Sequence, residues 1–195
     1  MPAKNTPPRN STTQENSPQP PAPTAEISVR FEQSGLIKGR GALHAATTFI
    51  LEYCRQDIKL GKIGSIDVLY CSEARIRQLN RDYRGKDEST DVLSFSAEGN
   101  TQSFPAQLPE HLGDLAVSLH YVERQAMGNA STLAADVALF LVHGYLHLVG
   151  FDHMGAEERR TMFQEQKRLL KGIQAHPDFP GDKLQSMTII GRETT

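Results

Sequence analysis

Three histidines fall within eleven residues of this chain, at spacings that suit a metal ion. His143 and His147 lie four positions apart, and His153 closes the segment HGYLHLVGFDH. On a helix, residues four apart lie on one face, so two imidazoles there can bind one ion. Gly150 can take the positive φ that ends a helix, which lets the chain return with His153. Three imidazoles with an open fourth position are typical of catalytic zinc, so these histidines are the predicted metal ligands.

The same donor set leaves the kind of site and the ion open. A structural zinc site would need a fourth protein ligand, commonly a cysteine, and none lies nearby in the sequence. Asp152 adjoins His153 and could be that ligand, although we favour a role beside the metal or in proton transfer. Nickel and copper also favour imidazole ligands, so the residues alone do not identify zinc as the ion in the cell.

The histidine spacing is also that of the metzincin metalloproteases, with one difference. Those enzymes have a glutamate directly after the first histidine, where it acts as the general base. Gly144 occupies that position here and cannot accept a proton. The sequence therefore predicts metal binding without peptide hydrolysis by that route.

Three arginines recur upstream at helical spacing. Arg77, Arg81 and Arg84 lie at positions i, i+4 and i+7. We interpret Arg77 and Arg81 as part of a solvated helix face. Arg84 enters a turn that contains glycine, where a guanidinium can reach a cleft and stabilise charge on phosphate oxygens. Arg84 is therefore the predicted catalytic residue.

The elements that position these residues alternate along the chain. Apolar patterns predict four strands at 26–33, 66–71, 91–96 and 113–119. Helical periodicity predicts about five helices, at 36–56, 72–83, from about 121, at 131–148 and at 156–171. Together they predict an α+β (mixed α/β) single domain, with a mixed sheet of about four strands packed against about five helices. The zinc site is expected at the end of the central, most apolar helix.

Composition limits the domain and its cellular setting. Of the 195 residues, 38% are hydrophobic and the net charge is −2, which is not the basic balance of a dedicated nucleic-acid binder. The sequence shows neither a membrane-spanning run nor a secretory leader, and Cys54 and Cys71 are interpreted as reduced thiols, so we expect a cytoplasmic protein. Residues 1–25 are predicted to be a disordered proline-rich tail, 26–172 the functional domain and 173–195 a C-terminal tail.

Three segments of the chain resemble the YbeY family of bacterial endoribonucleases. They are YRGKDESTDVLSF at 83–95, GDLAVS at 113–118 and HGYLHLVGFDH at 143–153, and the resemblance covers about residues 26 to 172. It implies a zinc-dependent endoribonuclease specific for single strands, acting in small-subunit (16S) ribosomal RNA 3′-end maturation and ribosome quality control. It also implies one zinc ion on His143, His147 and His153, with Arg84 as the functional arginine nearby. The implied partners are RNA and the small ribosomal subunit with its proteins, and neither DNA nor a membrane is expected.

These residues suggest a mechanism and leave two other functions open. Zinc would lower the pKa of bound water to about 7, so that hydroxide, or a ribose 2′-OH that it activates, attacks a phosphodiester. Arg84 would stabilise the charge on the phosphate oxygens. The first alternative is a metal-dependent hydrolase of a substrate other than RNA. The second is a ribosome-assembly factor whose zinc mainly holds the fold together.

Overall fold

The computed structural model describes residues 25–32, 37–57, 64–97, 110–129 and 131–189. The strands are β1 (Ile27–Phe31), β2 (Ile37–Lys38), β3 (Gly64–Cys71), β4 (Val92–Ser96), β5 (Glu110–Ser118) and β6 (Thr188–Ile189). The helices are α1 (Arg40–Arg55), α2 (Glu73–Arg84), α3 (Leu119–Asn129), α4 (Leu133–Leu148), α5 (Ala156–Ala175) and a 3-10 helix at Pro180–Ser186. Nearly all of the predicted N-terminal tail, residues 1–24, lies outside the described residues.

The main sheet has four strands in the order β1-β3-β5-β4. β3 pairs in parallel with both β1 and β5, whereas β4 runs antiparallel to β5 and forms one edge of the sheet. The prediction of a single α+β domain with a mixed four-stranded sheet is thereby confirmed. β2 and β6 form a separate antiparallel pair that the sequence analysis did not predict.

Most of the core lies on one face of this sheet, where α1, α4 and α5 pack. α4 is apolar on nearly every side because it lies between the sheet and the neighbouring helices. Its Leu141, Tyr145 and Leu146 are fully buried in one core cluster with Ile50 of α1 and Leu115 of β5. Burial on all sides fixes the position of α4, and with it the two histidines near its C-terminus.

The opposite face of the sheet carries a smaller core beneath α2. Leu93 and Ala116 pack there with Ile76 of α2, which is fully buried. The helix begins at Ser72, whose hydroxyl accepts a hydrogen bond from the backbone N–H of Arg75 at 3.1 Å. This cap agrees with the predicted start of the helix. α2 ends beside β4 and so brings the segment 83–84 to the edge of the sheet.

The chain remains packed on the body beyond residue 172. α5 continues to Ala175, and the following 3-10 helix buries Leu184 in the main core together with Met187. β6 then pairs with β2. Among the described helices, none has both the length and the apolar character that a membrane span requires.

Candidate metal centre

The C-terminus of α4 turns sharply just after the second histidine. Gly150 has a φ of 97°, a left-handed conformation that residues with a Cβ rarely adopt. Its N–H donates to the carbonyl of His147 at 3.1 Å, and the N–H of Phe151 donates to the carbonyl of Leu146 at 2.9 Å. These two bonds form a Schellman motif, which stops the helix and reverses the chain.

The loop that follows holds His153 through its backbone. Oδ1 of Asp152 accepts a hydrogen bond from the N–H of His153 at 2.7 Å, and Arg159 Nε donates to the carbonyl of His153 at 3.2 Å. Glu158 accepts from the N–H of Gly155 at 3.0 Å and so fixes the start of α5. Asp152 therefore organises the loop, and its carboxylate is outside the cluster of ligand atoms formed by the histidines.

The structure brings the three histidines of this segment together. One ring nitrogen from each of His143, His147 and His153 lies within 4.8 Å of the other two. The ring centroids are 4.8 Å apart for the first pair, 5.0 Å for His147 and His153, and 5.5 Å for His143 and His153. All three side chains are half-buried, so a ligand can reach them from solvent.

A glutamine on α5 orients the first histidine of the cluster. Nδ1 of His143 lies 3.0 Å from Oε1 of Gln166, to which it donates, so Nε2 carries the free lone pair. Burial lowers the pKa of His143, and this hydrogen bond opposes the effect. Burial and the neighbouring imidazoles lower the pKa of His147 to about 4. The rings of His143 and His147 are therefore neutral at pH 7, the form that binds a metal.

The spacing of the nitrogens fits a tetrahedral metal ion. Nε2 of His143 and Nε2 of His147 are 3.3 Å apart. Two nitrogens at about 2.0–2.1 Å from one tetrahedral zinc ion would be separated by about 3.3–3.4 Å. The three imidazoles and this one distance therefore fit a candidate three-histidine metal site.

Gly144 has a structural reason for being glycine. A Cβ at this position would lie 2.8 Å from Cδ2 of Leu115, 3.3 Å from Cγ2 of Val92 and 3.4 Å from Oγ of Ser94. α4 thus approaches β4 and β5 so closely that a side chain at this position requires Leu115 to shift. The close packing therefore disfavours a glutamate where the metzincins have their general base.

Arg84 lies at the edge of β4. Its Nη2 donates to the carbonyl of Ser94 at 3.2 Å, and the side chain is otherwise exposed. The three other arginines of α2 lie near acidic side chains: Arg77 forms two hydrogen bonds with Asp87, at 2.9 and 3.0 Å, Arg81 lies 3.6 Å from the same carboxylate, and Arg75 lies 3.3 Å from Glu32. The Arg77 guanidinium lowers the pKa of Asp87.

A second group of possible ligands lies on the opposite face of the sheet. β5 contains one extra residue, Leu112, relative to β3. The extra residue puts His111 and Asp114 on the same side of β5, with 3.4 Å between Nε2 and Oδ2. Asp67 of β3 lies beside Asp114, and the ligand atoms of this group also lie within 4.8 Å of one another. The predicted strand began at residue 113, whereas β5 begins at Glu110, so His111 lies within the strand.

Sequence reasoning missed the residues that hold the cluster in place. Gln166 and Arg159 fall in the predicted helix 156–171 and Ser94 in the predicted strand 91–96, but none of the three was singled out. Gln166 lies one α5 turn after Met162, which is fully buried, and this spacing was the available signal that it faces α4.

Comparisons with known proteins agree on one family. The family model for Endoribonuclease YbeY matches residues 29–174. Endoribonuclease YbeY of Shouchella clausii is 38% identical over 128 residues, which cover 63% of this chain and 80% of that protein. The Bacillus mycoides protein of the same name is 35% identical over 149 residues, covering 74% and 89%. The solution structure of TM1509 from Thermotoga maritima aligns with a TM-score of 0.50 and 27% identity, covering 74% of this chain and 87% of that one.

These matches define the class of protein as the endoribonucleases. The chain belongs to the YbeY family, as the motifs at 83–95, 113–118 and 143–153 predicted.

Proposed function

We propose that this chain is a zinc-dependent endoribonuclease that hydrolyses phosphodiester bonds in single-stranded RNA. The observation that carries the proposal is the convergence of His143, His147 and His153 within 4.8 Å, in a chain whose family is named for endoribonuclease activity. RNA is the proposed substrate because the relatives carry that name.

In this proposal the three imidazoles hold one zinc ion, and Gln166 keeps the ring of His143 in the binding orientation. The 3.3 Å between Nε2 of His143 and Nε2 of His147 supports a tetrahedral ion such as zinc. When bound, zinc acts as a Lewis acid that activates water near neutral pH. Gly144 itself offers no carboxylate to share this task.

Arg84 is the proposed catalytic residue. One nitrogen of its guanidinium is bound to the Ser94 carbonyl, which leaves other N–H groups to bind the non-bridging oxygens of a phosphodiester. There they would stabilise the negative charge that develops during hydrolysis. Ser94 also faces Gly144, the neighbour of His143, so β4 connects the arginine to the histidine cluster.

The family suggests the cellular role. We propose that residues 26–172 carry the catalytic function, with 1–25 and 173–195 as flanking segments, of which 173–189 packs on the same core. In the cytoplasm, the enzyme would mature the 3′ end of small-subunit (16S) ribosomal RNA and act in ribosome quality control. Its partners would then be the small ribosomal subunit and associated proteins, with no role for DNA.

The proposal is tested by cleavage of an end-labelled single-stranded RNA. Zinc-loaded wild type is compared with metal-depleted wild type and with His147→Ala, which loses one ligand. Double-stranded RNA and single-stranded DNA of the same sequence test the substrate class. We expect cleavage of single-stranded RNA by the zinc-loaded wild type alone. Equal cleavage by His147→Ala would overturn the proposal, because it would come from a contaminating ribonuclease or another site.

One feature favours a second candidate function, an assembly factor with a mainly structural zinc. The cluster joins two helices, since His143 of α4 binds Gln166 of α5 and the His153 carbonyl binds Arg159 of α5. A metal ion here would therefore stabilise the packing of α4 and α5. This function predicts a large fall in melting temperature on chelation, together with no cleavage of RNA, DNA or ester substrates. Cleavage of an ester but not RNA would instead indicate a hydrolase with another substrate.

A further inference from the structure

A cleft lies on the face of the sheet that is turned away from the histidine cluster. Its volume is about 360 Å³, within the range of about 300–1,000 Å³ found for small-ligand pockets. The side chains of β4 alternate between the two faces of the sheet. Val92 and Ser94 lie next to Gly144 of α4, whereas Leu93 and Phe95 pack on the other face, with the residues beneath α2.

The cleft has an aromatic wall at the end of α2. The ring of Tyr83 is 70% exposed and packs edge-on with Phe95, with 5.2 Å between the centroids. Leu69, Leu79 and Ala116 provide apolar surface beside these rings. An open aromatic ring at the mouth of a partly apolar cleft is the arrangement on which proteins stack unpaired bases.

The polar wall of the cleft has balanced charges. It consists of Arg30 and Arg75, which are donors, and Asp67 and Asp114, which are acceptors. Arg75 also lies 3.3 Å from Glu32, so the positive groups of this wall are offset and do not favour a phosphate. Donors and acceptors side by side instead match the hydrogen-bonding edge of a nucleobase.

The chain connects this cleft to the proposed active site. Tyr83 lines the cleft, and the next residue, Arg84, reaches the Ser94 carbonyl at the edge of β4. A strand of RNA whose phosphate is held by Arg84 can therefore pass over this edge with a neighbouring base against Tyr83.

We propose that this cleft binds an unpaired base of the RNA substrate, stacked on Tyr83, next to the phosphate that Arg84 contacts. The proposal rests on the proposed function, since it assumes that RNA is the substrate. Tyr83 is then a positioning residue that selects single strands, because a base inside a duplex cannot leave its stack without a cost.

The first experiment separates KM from kcat in zinc-loaded enzyme. Stacking on an aromatic ring predicts that Tyr83→Ala raises KM about fivefold to a hundredfold, with little change in kcat or zinc content. Tyr83→Phe keeps the ring and should behave as the wild type. Phe163→Ala, which removes another exposed aromatic ring outside the cleft, should leave KM unchanged. Equal KM values for Tyr83→Ala and the wild type would overturn the proposal.

The second experiment keeps an aromatic ring at position 83, so its result does not depend on whether Tyr83→Ala folds. The chain has no tryptophan, so Tyr83→Trp introduces a single tryptophan into the cleft that can be excited selectively, and Phe163→Trp places one elsewhere. Both are made in the His147→Ala background and titrated with single-stranded RNA or an abasic strand of equal length. We expect quenching of Tyr83→Trp by RNA, and none by the abasic strand or in Phe163→Trp.

The outcomes separate the two proposals. Quenching without cleavage by the zinc-loaded wild type would support the base site and remove the proposed enzyme activity. Two results would overturn the base site without affecting the proposed activity. In both, the wild type cleaves RNA, but the fluorescence of Tyr83→Trp either does not change with RNA or is quenched equally by the abasic strand.

Discussion

Gln166 on α5 fixes the ring of His143 on α4, with 3.0 Å between Oε1 and Nδ1. The bond leaves Nε2 of His143 directed at Nε2 of His147, 3.3 Å away. A contact between two helices thus determines which nitrogen of the histidine can bind a metal.

Replacing Gln166 by leucine should weaken zinc binding while all three histidines remain. We expect an affinity loss of about 10–100-fold, because the ring of His143 loses the acceptor that orients it. Competition with a chromophoric chelator measures this affinity. Gln166→Glu, which keeps an acceptor oxygen, should retain binding, and so should Gln164→Leu at an exposed position two residues earlier. Unchanged affinity in Gln166→Leu would mean that the contact does not orient the ligand.

Removing the guanidinium of Arg84 should lower cleavage without removing zinc. Arg84→Ala is expected to reduce kcat by about 100–1,000-fold, the range for loss of one group that stabilises transition-state charge. Arg84→Lys should recover part of the rate, because it keeps the charge but not the planar fork. Single-turnover cleavage and zinc content by mass spectrometry check both effects.

The matched control for Arg84 is Arg81→Ala, one turn earlier on the same helix. Arg81 is exposed and lies near Asp82 and Asp87, at 3.4 and 3.6 Å. We expect near wild-type cleavage. An equal loss of rate in the two variants would assign the effect to the charge of α2 and not to Arg84.

The sequence contained enough to predict the local part of the site. His143 and His147 are one turn apart on a helix, and Gly150 supplies the positive φ that brings His153 back, so the segment 143–153 specifies its own geometry. The apolar pattern of α4 likewise predicted a central buried helix.

The parts that could not be predicted depend on contacts between distant segments. Gln166 follows His143 by 23 residues, and their contact depends on how α5 packs on α4. Leu112 can be identified as an extra residue of β5 only when the register of β5 with β3 is known, because a bulge is a property of two paired strands. The pair formed by β2 and β6 joins segments about 150 positions apart, and β2 is too short to give a periodic signal.

Gly144→Ala tests the close approach of α4 to the sheet. Alanine favours a helix over glycine by about 1 kcal/mol, but a Cβ here would lie 2.8 Å from Cδ2 of Leu115. Overpacking costs about 1–3 kcal/mol, so we expect a net loss of stability. Leu115→Val removes the crowding Cδ2 atom, and in that background Gly144→Ala should destabilise less than in the wild type. Urea unfolding of the wild type, the two single variants and the double variant gives the coupling free energy between positions 144 and 115. Additive effects on the free energy of unfolding would contradict the packing argument.

The stability of metal-free protein should fall with acid over the range set by His147. Its pKa is lowered from 6.5 to about 4, so between these values the unfolded chain binds a proton that the folded chain does not. Stability is therefore lost as the pH falls from about 6.5 to about 4, by about 1–2 kcal/mol after allowance for solvent screening at this half-buried ring. Melting temperature measured against pH in a chelating buffer checks this. His147→Gln, which cannot titrate, should give a flatter profile, and an identical slope would assign the acid sensitivity to other groups.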